Sequence, residues 1–357
     1  MNLFEKNSIE EIKELLKSAK NIVVTAHFNP DGDALGSALC LYNILKDSTN
    51  CHVIFPNHFP DTFGWMPGSE NILIYNAEQN ADILANADVL FCLDYNCGSR
   101  VEKMQKNLEN SPAIKIMIDH HPSPQQDLCK YVFSDSQAAA TCELLYFFCV
   151  EVGLKINNDA ARCLFTGLTT DTGCFQFNST SQRTFEVAAK LASYPIDRAE
   201  IIHHIFDSYS ESRMRLQGYV LQRKMRVYPH YHAAYIALSY EEAEKFNYQV
   251  GDSEGFANLP LSIETVKFSA FFMERDGIIR CSFRSKGDFK VNEIAERYFN
   301  GGGHDNAAGG KSYKSLDEIV NRFISILPKV TKPLREADKA EKKAKIKQIK
   351  DEIENNK

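Results

Sequence analysis

Apolar and polar positions along the first half of the chain fall into short blocks with two different periods. The β-branched run Asn21 to His27 leads through a turn into Asp33 to Asp47, where apolar residues recur at helical spacing. Cys51 to Pro56, Ala87 to Asn96 and Ala113 to His121 are further short apolar runs, and the last two end abruptly in aspartate. Such runs, separated by helical segments, predict strands buried on both faces of a parallel sheet. From about Thr184 to Met225 the pattern is helical and polar. A second strand-rich stretch begins near Tyr231 to Tyr240 and continues through Val266 to Gly287, with Asp276-Gly277 as a hairpin turn. Met1 to Lys20 reads as an amphipathic helix with Ser8 and Glu11 as a capping box. The tail beyond Pro333 mixes acidic and basic residues, which predicts a solvated helix or a frayed end. There is no internal repeat.

The predicted architecture is therefore α/β. An N-terminal parallel-sheet domain over residues 1–190 is joined by a helical connector, 191–226, to a smaller α/β domain, 227–330, with a charged tail over 331–357. A length of 357 residues suits two domains, and 44% hydrophobic with 25% charged residues suits a globular chain. The net charge of −6 argues against a broad grip on long duplex DNA but leaves room for a small anion held by a few local cations. Ten cysteines without a CxxC pair read as reduced, buried thiols. With no signal peptide and no apolar stretch of membrane-spanning length, the expectation is a cytoplasmic protein without membrane contact.

The strand ends carry the chemistry. His27, Asp94 and Asp119 each fall where an apolar strand stops, and open α/β sheets bind ligands outside the carboxyl ends of their strands. An aspartate after a strand is often only a turn former. Four segments, HFNPDGD, LDYN, IDHHP and LTTDTGCF, change that reading together, because they supply His27, Asp31, Asp33, Asp94, His120 and Asp171. Carboxylates so crowded repel unless a positive charge holds them. Four carboxylates and two imidazoles, without a cysteine, suit manganese or magnesium better than a structural zinc. Two divalent ions would cancel the four aspartate charges. The glycines of the turn allow close backbone approach.

These residues also resemble a family. HFNPDGDALGS, LDYN, DHHP and TDTGCF are similar to the four motifs of the DHH phosphoesterases in order and spacing, and SFRSKG with GGGHDNAAGG resembles the DHHA1 substrate-binding domain. The resemblance runs from Asn21 to Gly310. It implies one metal held by His27, Asp31 and Asp94, and another held by Asp33, Asp94, His120 and Asp171, with Asp94 bridging. It implies two divalent ions, manganese first, with magnesium or cobalt as substitutes. Asp119 would orient an imidazole and His121 would face the scissile phosphate. Arg284 and His304, with Ser282 as a weaker candidate, would contact a substrate phosphate after the domains close. GGGHDNAAGGKS ends like a P-loop, but Asp305 stands where the first glycine of that motif belongs. A backbone nest, with Gly302 and Gly303 approaching a phosphate beside His304, is the better reading, against a tight turn in which His304 caps a helix.

Among the family's types, the chain lacks the sensor segments of membrane-tethered cyclic-dinucleotide phosphodiesterases and an added nucleic-acid module of RecJ-type exonucleases. Its GGGH signature disfavours a pyrophosphatase. The resemblance implies the stand-alone type, which cuts very short RNA or linear dinucleotides such as pApA and pGpG to mononucleotides, or removes the 3′-phosphate of 3′-phosphoadenosine 5′-phosphate. A homodimer is compatible with this type. The competing class is a catalytically silent nucleotide-binding module, whose mark would be a lost ligand at Asp94 or His120.

Overall fold

The computed structural model describes residues 6–332 and 334, so the charged tail lies almost wholly outside the described residues. The chain divides into two units between Ser208 and Tyr209, inside the stretch read as the connector. In order, the first unit contains α1 (Lys6–Ser18), β1 (Asn21–Thr25), α2 (Gly32–Leu45), β2 (Asn50–Phe55), β3 (Ile72–Ile74), α3 (Ala81–Ala85), β4 (Val89–Leu93), α4 (Gln105–Asn110), β5 (Ile114–Asp119) and β6 (Tyr131–Ser134), then α5 (Thr141–Val152), α6 (Asn158–Asp171), α7 (Gln182–Leu191) and α8 (Arg198–Phe206). Ser8 lies within α1 rather than at its cap, so the expected capping box is not formed.

All neighbouring strands of the first sheet are parallel, in the order β3-β2-β1-β4-β5-β6. The apolar runs have no polar face because helices cover both sides. Val24, Phe91 and Ile118 pack into one core with Leu35, Leu145 and Leu164, while Val23, Leu90 and Met117 pack into another with Leu84 and Leu108. The direction of strand addition reverses between β1 and β4, which makes the ends of these two strands the switch point. Glycines decide how closely α2 and α6 approach. A Cβ at Gly36 would stand 2.6 Å from the Cys163 carbonyl oxygen, and one at Gly32 would stand 2.4 Å from Thr170 Cγ2. The glycines of the opening turn thus serve helix packing.

The second unit begins with α9 (Glu211–Tyr219) and continues through β7 (Met225–Tyr228), β8 (Ala233–Leu238), α10 (Tyr240–Glu244), β9 (Phe268–Arg275), β10 (Ile278–Ser285), α11 (Val291–Phe299), β11 (Gly302–His304) and β12 (Ala307–Ser312), followed by a helix from residue 316. Its sheet runs β11-β12-β10-β9-β8-β7 and is antiparallel except between β8 and β9. The β9–β10 turn has Asp276 and Gly277 at φ 55° and 72°, as an Asp-Gly hairpin requires. One correction concerns GGGHDNAAGGKS, which forms neither a nest nor a helix cap. It is the β11–β12 hairpin. Close packing of backbones imposes some of its glycines: a Cβ at Gly301 would stand 1.8 Å from the Gly309 carbonyl oxygen, and one at Gly303, at φ 141°, 2.6 Å from the Ala307 carbonyl oxygen. No helix among the described residues is long and apolar enough to cross a membrane.

Candidate metal centre and anion face

The first unit gathers its polar side chains at the carboxyl edge of its sheet. His27 follows β1, and its Nδ1 lies 2.9 Å from the Phe28 carbonyl oxygen. Asp94 follows β4 at φ 61°, a left-handed conformation that residues other than glycine seldom adopt and aspartate tolerates better than most, with its N–H donated to the Ile118 carbonyl of β5. Strained backbone of this kind persists where its surroundings hold it. Asp31 caps α2 by accepting from the Asp33 and Ala34 N–H groups at 3.0 and 3.1 Å. Asp33 sits in the first turn of α2, and Asp171 is the last residue of α6.

Distances bring all six sequence-predicted ligands together. His27 Nε2 lies 3.4 Å from Asp94 Oδ2 and 3.9 Å from Asp31 Oδ1. His120 Nε2 lies 3.3 Å from Asp171 Oδ2, 3.5 Å from Asp94 Oδ1 and 4.0 Å from Asp33 Oδ2. Asp94 therefore turns one oxygen toward each imidazole. Two groups of donor atoms result, His27–Asp31–Asp94 and Asp33–His120–Asp171, each drawn together within 4.8 Å. Asp119 stands behind His121, at 2.8 Å from its Nδ1, and accepts the His121 backbone N–H at 3.1 Å.

Burial makes this crowding costly. Asp33 and Asp94 are 0% and 2% exposed, and among the described residues their ion-pair partners are imidazoles alone. Burial, reinforced by the Asp94 charge, pushes the Asp33 carboxyl up to about 7. Burial acts the same way on Asp94, but His27, His121 and His120 outweigh it and hold that carboxyl well below its usual range. His27 is pulled down by burial and, more strongly, up to about 9 by Asp94 and Asp31. Nearby carboxylates favour the protonated form of His27 and of His120 against their burial. The oxygen and imidazole donors converge, and among the described residues no lysine or arginine forms an ion pair with Asp33 or Asp94, so the set fits hard divalent cations.

The sequence reading missed what holds this arrangement. Thr141 opens α5 and donates its hydroxyl to Asp94 Oδ1 at 2.9 Å. The N–H groups of Thr141 and Cys142, unpaired within their own helix, are donated to Asp33 at 2.6 and 2.9 Å. The Ala138 carbonyl lies 3.3 Å from His120 Nδ1. Residues 138–142 thus touch three proposed ligands, and the buried Glu143 anchors them. It accepts from Arg183 Nε and from Thr184 Oγ1, while Arg183 Nη1 also reaches Asp135 at 2.9 Å. Nothing local in the sequence reveals that the partners of Thr141 are Asp33 and Asp94.

In the second unit, register aligns the predicted phosphate contacts. Arg284 pairs with Ala307, which pairs with His304, and Ser282 pairs with Gly309, which pairs with Gly302. Facing residues of paired strands share one side of the sheet. Gly303 pairs with the buried Ala308 and belongs to the opposite face. Its role in this hairpin is conformational.

Fold and site together define a doubly wound α/β domain with a carboxylate–imidazole centre at its switch point. Residues 21–168 match the DHH family, N-terminal domain, and residues 230–329 match the DHHA1 domain. The chain belongs to the DHH–DHHA1 family of phosphoesterases. A Streptococcus mutans protein named "Probable bifunctional oligoribonuclease and PAP phosphatase NrnA" is 31% identical over 303 residues, 84% of this chain and 91% of the relative. The "Bifunctional oligoribonuclease and PAP phosphatase NrnA" of Bacillus subtilis is 29% identical over 316 residues, 87% of this chain and 95% of the relative. The crystal structure of an exopolyphosphatase-related protein from Bacteroides fragilis matches with a TM-score of 0.88 at 41% identity, covering 93% of this chain and 98% of that one.

Proposed function

We propose that the protein hydrolyses very short oligoribonucleotides and linear dinucleotides such as pApA and pGpG to mononucleotides, and 3′-phosphoadenosine 5′-phosphate to AMP. The names of the Streptococcus and Bacillus relatives support this choice of substrate. The division of Asp94's oxygens between His27 and His120 carries the mechanistic reading. His27, Asp31 and Asp94 would hold one divalent cation, and Asp33, Asp94, His120 and Asp171 the other, with manganese preferred and magnesium or cobalt as substitutes. Such a pair supplies an activated water and neutralises charge growing on the phosphoryl group.

The chain's own side chains do the rest. Asp119 holds the Nδ1 side of His121 and sets its tautomer, which makes Nε2 the atom that handles a proton at the leaving oxygen. Thr141 and the start of α5 fix Asp94 and Asp33, so the site is shaped before substrate arrives. Arg284, His304 and Ser282 supply donors for a substrate phosphate, with Arg284 making charge-assisted hydrogen bonds. Ten free cysteines support a reducing, cytoplasmic location.

An assay with manganese should compare pApA, pGpG, RNAs of increasing length, 3′-phosphoadenosine 5′-phosphate and tripolyphosphate. The expected result is metal-dependent release of mononucleotide, strongest with the shortest RNAs. Turnover that survives verified metal removal would refute the mechanism. Faster hydrolysis of tripolyphosphate than of any nucleotide would refute the substrate assignment.

A further inference from the structure

The second sheet has one face that is only half covered. Phe271 and Met273 of β9 pack under Leu216, Val220 and Phe256, whereas the same face of β10 and β12 is open. On that open half, Arg280, Ser282 and Arg284 of β10 stand opposite Lys311, Gly309 and Ala307 of β12. Two features there have no explanation in the fold itself.

Arg280 and Lys311 are both exposed and directly paired across the two strands. Like charges in that position destabilise a sheet, and among the described residues neither forms an ion pair. Glycine at 309 is likewise not demanded by packing. A Cβ built there meets nothing nearer than the Cys281 carbonyl oxygen at 3.6 Å, an ordinary contact, and the residue does not have positive φ. Glycine inside a strand nevertheless costs about 0.5–1 kcal/mol relative to alanine.

We propose that this open half-face is an extended strip for a single-stranded oligonucleotide, with a second phosphate position at Arg280 and Lys311. The inference rests on the reading that Arg284 and His304 take one substrate phosphate. The two cationic rows are four residues apart on β10, roughly 14 Å at about 3.4 Å per residue, so they serve phosphates of different nucleotides. Between them the bare backbone of Gly309 and Gly302 forms a flat floor for the intervening sugar and base. An anion between Arg280 and Lys311 converts their repulsion into attraction.

The test is binding by the full-length protein in EDTA, read as fluorescence anisotropy of 3′-labelled 5′-phosphorylated pentaadenylate and of labelled AMP. In the Arg280→Ala/Lys311→Ala variant the ratio of pentaadenylate to AMP affinity should fall tenfold or more. The salt dependence of pentaadenylate binding should lose roughly 0.7 of log–log slope for each phosphate contact removed. Gly309→Val, which suits a strand, should keep or raise the melting temperature while weakening both ligands. An unchanged affinity ratio would overturn the second phosphate position, and wild-type binding by Gly309→Val would overturn the floor. Normal binding without turnover in manganese would instead refute the phosphoesterase reading and leave the strip standing.

Discussion

The edge of the first sheet and the open face of the second present opposite charge in opposite surroundings. The first buries carboxylates against imidazoles, with Asp33 pushed up to about 7 and Asp94 held low. The second sets arginine, lysine and glycine on a partly exposed face. A buried anionic cluster is stable only with protons or metal inside it, and so attracts cations and, through them, phosphate. An exposed cationic strip attracts phosphate directly, with less strength per contact and more dependence on salt. The difference predicts chemistry at one and grip at the other.

The largest expected effect comes from breaking the first region. Asp94→Ala should lower turnover with manganese by roughly 10³-fold or more, as when one member of a catalytic unit is removed, with far-UV circular dichroism unchanged. Near-normal turnover would abolish the distinction between the two regions. Arg284→Ala tests the second region. It should cost roughly thirty- to a thousandfold in kcat/KM on pApA, yet little on bis(p-nitrophenyl) phosphate, which has no second phosphate to hold. Equal losses on both would move Arg284 from grip to chemistry or folding.

A smaller effect sharpens the account of the first region. Thr141→Val removes the hydroxyl donated to Asp94 and keeps the side-chain shape. Manganese affinity, measured by calorimetry, should fall roughly 10- to 100-fold, and Thr141→Ser should restore it. A drop in melting temperature without any change in metal affinity would make Thr141 a packing residue only.

The smallest effect concerns a carboxylate that contrasts with Asp33. Burial opposes the ionisation of Glu242, but Lys224, Tyr219 and the Ser239 N–H hold its carboxyl down at about 2. A carboxyl lowered on folding stabilises the protein above its ordinary value of 4.5 and loses that contribution as pH falls toward 2. Glu242→Gln should therefore melt below wild type near pH 6, and the gap should close as the pH approaches 2. A gap independent of pH would show that the loss is steric.

Local pattern and composition determined a good deal of this protein. The apolar runs ending in His27, Asp94 and Asp119 marked three strands and their functional ends, because side chains beyond a buried strand must emerge at the sheet edge. Residue chemistry named six metal-ligand candidates, since clustered carboxylates and imidazoles have few other uses. Only the tertiary structure decided which atoms meet. Thr141 reaches Asp94 across 47 positions and Arg183 reaches Glu143 across 40, and such contacts leave no periodicity in the intervening sequence. The glycine-rich hairpin was misread for the same reason. Turn formers announce that a chain bends, but whether glycine serves a nest, a helix cap or backbone packing depends on the strand that lies against it.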